Sequence, residues 1–125
     1  MNDSELLQKA AMIAGPEVFG EPGCWFRRIA QNHSMVTGWN PLTDDGDALR
    51  LAVKLGLQVL PYPIFEEPKH SVIVQKRYWD SDAERAREHA ATLEMCDGDP
   101  CAATRRAIVR AAAELSIPSQ GTYDN

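Results

Sequence analysis

The run WNPLTDDGDALRLAVKLG, from Trp39 to Gly56, gathers Asp44, Asp45 and Asp47 around Gly46, a density of carboxylates that invites a calcium-loop reading. The spacing rejects it. An EF-hand loop needs oxygen ligands at alternate positions, glycine at the sixth and a bidentate glutamate at the twelfth, whereas the twelfth position counted from Asp44 is Leu55. The same residues suit the start of a helix, where Thr43 or Asp44 accepts the open N–H groups of the first turn and further carboxylates face the positive end of the dipole. On a projection that advances about 100° per residue, Ala48, Leu51, Ala52 and Leu55 surround the direction of Asp44, while Asp47, Arg50 and Lys54 share the opposite flank. Thr43 and Asp44 are therefore expected to point inward, and Asp47 to form a weak surface ion pair with Arg50.

The last alanine-rich stretch, DPCAATRRAIVRAAAEL, carries the second candidate group. Cys101, Ile108, Ala112 and Leu115 fall on one stripe with Arg105 among them, while Arg106, Arg110 and Glu114 read as a solvated face. An arginine among core positions must find acceptors, because an unpaired guanidinium in apolar surroundings is costly. Two partners stay open: an inward carboxylate such as Asp44, or an anionic ligand gripped bidentately. His89, Cys96 and Cys101 lack the fourth ligand and the spacing of a zinc site, so no metal is expected, and Cys101 reads as a small apolar residue at a helix start. His33, His70 and His89 stand in polar surroundings, and no nucleophile elbow or phosphate-binding glycine loop is present.

These residues need elements to position them. Asp3 or Ser4 can cap a first helix bearing Leu6, Leu7, Ala10, Ala11, Ile13 and Ala14, ended by Gly15-Pro16. GPEVFGEPG has no regular pattern, and CWFRRIA after it can form a strand. The second helix is expected from Thr43 or Asp44 to about Leu55, with Gly56 as its left-handed terminator. Pro61 and Pro63 limit Leu57 to Phe65 to an edge strand or extended arm, and SVIVQKRYW, from Ser71 to Trp79, is the clearest strand. Ser81 and Glu84 have capping-box spacing, so SDAERAREHA reads as a mostly solvated helix. Asp99 and Pro100 then open a last helix that ends near Leu115, followed by a polar tail.

The expected fold is α+β: one compact domain over residues 1–116, with helices packed on a small antiparallel sheet as an α/β sandwich, and a tail over 117–125. The chain has 125 residues, 44% hydrophobic and 25% charged, close to globular averages. Acidic Asp3 and Glu5 stand where a secretory signal would be basic, and no apolar run reaches membrane-spanning length, which points to the cytoplasm. An odd count of three cysteines suits reduced thiols. A formal charge of −5 argues against DNA or RNA as partner but leaves room for a local cationic pocket.

Taken in order, the N-terminal helix, WNPLTDD.DALRLAV, SVIVQKRYW and DP.AATRRAIVRAAAEL resemble the small accessory proteins of tailed bacteriophages of the NinX-like or phage ABA-sandwich type. The likeness covers about three quarters of the chain. GPEVFGEPG and the proline-broken LPYPIF depart from it. The resemblance implies a phage or prophage origin, a location in the bacterial host cytoplasm, and a function among proteins that counter host defence, some by sequestering nucleotide-derived immune signals. If the starts of the two helices converge, their N–H groups, Arg105 and the ring of Trp39 would supply anion binding and stacking. The leading expectation is thus a non-enzymatic protein, without cofactor, that binds a small nucleotide-like ligand through Trp39, Asn40, Thr43, Asp44, Thr104 and Arg105, helped by Arg27 and Arg28. A module that inhibits or redirects a host protein through LPYPIF and Trp79 is the second, and an enzyme degrading the same signal the third. A homo-oligomer is compatible with each.

Overall fold

In the computed structural model, residues 1–29, 32–63, 70–96 and 98–116 are described. The first helix, α1 (Asp3–Ala14), is capped one residue earlier than expected: Asn2 accepts from the Glu5 N–H, and the Glu5 carboxylate accepts from the Asn2 N–H at 3.1 Å. This reciprocal capping box displaces Asp3 and Ser4 from the cap role. The unpatterned GPEVFGEPG then yields β1 (Val18–Glu21), which pairs with β2 (Cys24–Ile29), the CWFRRI strand. Glu21 and Cys24 face each other across Pro22-Gly23, and Gly23 at φ 90° fits the glycine position of a type II turn. The chain returns as β3 (Asn32–Gly38) to complete a three-stranded antiparallel sheet in the order β1-β2-β3.

Helix α2 (Asp45–Leu55) is bounded as its sequence requires. Asp44 caps it, accepting from the Asp47 N–H at 2.8 Å. At the other end Gly56 adopts φ 66°, and the N–H groups of Gly56 and Leu57 close on the carbonyls of Val53 and Ala52, a Schellman termination. The second sheet follows, ordered β4-β5-β6 and antiparallel throughout: β4 (Gln58–Pro63), β5 (His70–Asp80) and β6 (Arg85–Cys96). The proline-bearing β4 lies at its edge, as expected. The polar tail over 117–125 and the end of LPYPIF, Ile64 and Phe65, lie outside the described residues.

The helix expected over Ser81 to Ala90 is absent; β6 takes its place. Asp80, not Ser81, gathers the local N–H groups, accepting from Asp82 and Ala83, and Glu84 at φ 53° swings the chain into the return strand. Helix-favouring Ala, Arg and Glu side chains are overruled because β6 pairs with β5 along nearly its whole length and carries inward Thr92 and Cys96 against the last helix. Thr92 Oγ1 donates to the Ala107 carbonyl at 2.7 Å, tying strand to helix.

Helix α3 (Pro100–Ser116) is the centre of the α+β domain, touching α1, α2, β5 and β6. Its start is as expected, with the Asp99 carboxylate accepting from the Ala102 N–H at 3.0 Å. Because neighbours lie on both sides, burial spreads beyond one stripe to Ala103, Ala107, Ile108, Val109, Ala111, Ala112 and Ala113. Small side chains let α1, with Ala10, Ala11 and Ala14, approach closely. Cys101 departs from the inward stripe and is exposed, since the first turn of α3 projects beyond that packing. The solvated face is half true: Arg106 pairs with Asp3 and Arg110 with Glu94, so those arginines pin α3 to α1 and β6. No helix among the described residues is long and apolar enough to cross a membrane.

Candidate ligand-binding cleft

The carboxylate that organises the cleft is Asp47, placed on the solvated flank by the helical projection but only 3% exposed. Its Oδ2 accepts from the Asn40 N–H at 2.9 Å, and its Oδ1 accepts from Arg50 Nη2 at 2.7 Å and Arg27 Nε at 3.2 Å. Asp44 is the exposed one, its side chain 58% accessible. The inversion has a geometric cause. A cap residue lies outside the helix, so its side chain bends back toward the first turn, while Asp47 turns toward Arg27 of the β1-β2-β3 sheet and is buried there, with Arg50 and Lys54 half-exposed beside it.

Arg27 comes from β2, where strand alternation sends Trp25, Arg27 and Ile29 to one face. The Arg27 and Arg50 guanidiniums thus meet on one buried oxygen, with side chains 25% and 52% exposed. Lys54, one turn beyond Arg50, pairs with Glu17 at 3.2 Å. Between these side chains opens a cavity of 270 Å³. Its polar rim is Arg27, Arg50, Lys54 and Glu17, and its apolar lining includes Ala14, Val18, Ile29 and Leu51 with Trp39. A wider cleft of 590 Å³ opens on the other side of the Arg27–Asp47–Arg50 bridge, bordered by Trp25, Thr37, Asn40, Thr43 and Asp44.

Comparison with family models, curated proteins and solved structures finds no match to this chain. The geometry carries the argument.

Five of the expected site residues, Arg27, Trp39, Asn40, Thr43 and Asp44, line the wider cleft together. Trp39 is not the open stacking surface expected: it is 6% exposed and packed into the core, and its backbone N–H donates to the Trp25 carbonyl at 2.9 Å. Asn40 shapes the turn, accepting from the Leu42 N–H at its Oδ1 and from the Asp44 N–H at its carbonyl. Thr43 is exposed and does not point inward. Arg28 borders the smaller cavity, but its guanidinium lies over the Phe19 ring, 4.7 Å from the centroid. Phe19 pairs with Phe26, which alternation puts on the face opposite Arg27.

Thr104 and Arg105 border neither cavity. Thr104 Oγ1 donates to the Pro100 carbonyl, while Arg105 donates through Nε to the Leu42 carbonyl at 2.8 Å and through Nη1 to Asp45 at 2.6 Å. The expected carboxylate partner of Arg105 was thus one residue off, Asp45 in place of Asp44. Arg105 brings α3 to the start of α2, as a structural clasp. Sequence reasoning passed over Asp47, Arg50 and Lys54 as site residues, although their shared flank was visible; what it lacked was the strand opposite. Among the described residues no group of three or more His, Cys, Asp and Glu side chains is arranged to hold a metal.

Proposed function

We propose that this chain is a non-enzymatic binding protein for a small anionic, nucleotide-like ligand, and that, in the phage setting its sequence resembles, it withholds a nucleotide-derived signal of the host. The observation that carries the reading is the 270 Å³ cavity, where Arg27, Arg50 and Lys54 converge over an apolar lining in a chain whose formal charge is −5. Cations gathered against the overall charge suit a concentrated anion such as a phosphate, and guanidiniums present the donor geometry that phosphates accept. Asp47 holds two of them side by side before any ligand arrives, which lowers the ordering cost of binding.

A thermal-shift series with nucleotides, cyclic nucleotides and ADP-ribose tests the reading. A ligand at about 100 times its dissociation constant stabilises by about 2.7 kcal/mol. Lys54→Gln should weaken that response while leaving the unliganded protein folded, since Lys54 is 45% exposed in its side chain. Absence of a shift with every phosphorylated compound sinks the proposal, and recovery of an altered ligand turns it toward an enzyme.

One observation favours a second reading, the interaction module. Leu60, Leu93 and Met95 are 37%, 50% and 44% exposed on the face of the β4-β5-β6 sheet away from α3, and Trp79 on the same sheet is 66% exposed. Capture of one host protein, lost on Leu93→Lys, would favour it.

A further inference from the structure

We infer that the two cavities flanking Asp47 are one bipartite site, with phosphate seated on the Lys54 side and the ring of a nucleobase on the Trp25 side. The inference rests on the reading just proposed and specifies how its ligand lies. Arg27, Trp39 and Arg50 border both cavities, so the Asp47-centred bridge is a shared wall between them.

The two sides differ in chemistry. Toward Lys54 the border holds the side chains of Arg27, Arg50 and Lys54 against Glu17, with the Asp47 carboxylate of the shared wall behind the two arginines, which leaves a net cationic border. Toward Trp25 the carboxylates Asp44 and Asp47 match Arg27 and Arg50, and the border adds the half-buried Trp25 and the hydroxyls of Thr37 and Thr43. A phosphate gains on the first side, whereas on the second it meets the exposed Asp44 carboxylate, whose ion-pair partner Arg50 stands 3.8 Å away and is shared with Asp47. A heteroaromatic base suits the second: Trp25 offers an aromatic contact, and Asp44, whose Oδ2 serves the α2 cap, has Oδ1 as an acceptor for ring or exocyclic N–H groups. Thr37 sits opposite Arg27 in the β2–β3 ladder, on the same face, with a hydroxyl that can donate or accept. The ligand lying across the bridge is therefore a nucleotide whose phosphates and base point to opposite ends of the cleft.

Calorimetric titration with inorganic pyrophosphate, ADP and adenosine separates the parts. ADP is expected to bind at least about tenfold more tightly than pyrophosphate, the scale of one aromatic contact plus one hydrogen bond. Trp25→Leu should weaken ADP several-fold without moving pyrophosphate itself. Asp44→Asn, which keeps a cap acceptor, should weaken ADP several-fold and leave pyrophosphate no weaker; it decides the matter even if Trp25→Leu fails to fold. Equal affinities for ADP and pyrophosphate, untouched by Asp44→Asn, overturn the bipartite site while the anion site stands. Binding by neither phosphorylated compound removes both.

Discussion

Asp47 and Asp44 exchange the roles their spacing suggests, and the exchange can be measured. Removing the buried Asp47 carboxylate strips Arg27, Arg50 and the Asn40 N–H of their shared acceptor. Asp47→Ala should cost about 2–3 kcal/mol in urea unfolding, below the range for a fully buried pair because Arg50 is half-exposed. Asp44→Ala loses one cap and should cost about 1 kcal/mol; an equal or reversed order would contradict the burial of Asp47. Arg105→Ala belongs to the same scale. Its bonds go to Leu42 and to Asp45, whose side chain is 71% exposed, so the expected result is a loss of about 1 kcal/mol with ligand response kept. Loss of binding in a fully stable Arg105→Ala variant would return that residue to the site.

Among the elements, the β5–β6 hairpin departs furthest from its local sequence preference. Ser81 and Glu84 have the spacing of a helix cap, yet the carboxylate that gathers the N–H groups belongs to Asp80. The Ala83 N–H is the chief influence holding the Asp80 carboxyl below its ordinary range, assisted by Arg87 and the Asp82 N–H. With the folded value below the unfolded one, the stabilisation is complete above the ordinary aspartate pKa of about 3.9 and is lost as pH falls through the folded value. An NMR titration should find Asp80 titrating below about 3.9, with the amide signal of Ala83 following it. A midpoint at or above the ordinary value would show that the turn does not depend on this carboxylate. Helix α2 is the contrasting case, legible at both ends because its cap and its left-handed glycine act within a few residues of themselves.

For the molecule as a whole, anion binding should respond to salt in the manner of a local cationic site on an acidic chain. Raising ionic strength from about 0.05 to 0.5 M shortens the screening length to a few ångströms and should weaken pyrophosphate binding several-fold; affinity unchanged across that range would place the ligand elsewhere. The α+β class, the three helix-forming segments apart from SDAERAREHA, the edge position of β4 and the strand β5 were all legible in the chain, because capping, proline geometry and side-chain periodicity are local. So was the common flank of Asp47, Arg50 and Lys54. The division into two sheets, the return of β6 as a strand and the burial of Asp47 were decided only in three dimensions. Each depends on a partner distant in sequence: β5 supplies the ladder that outweighs the helix preference of Arg85 to Ala90, and Arg27, 20 residues before Asp47, turns a flank that looks solvated into the wall of a cleft.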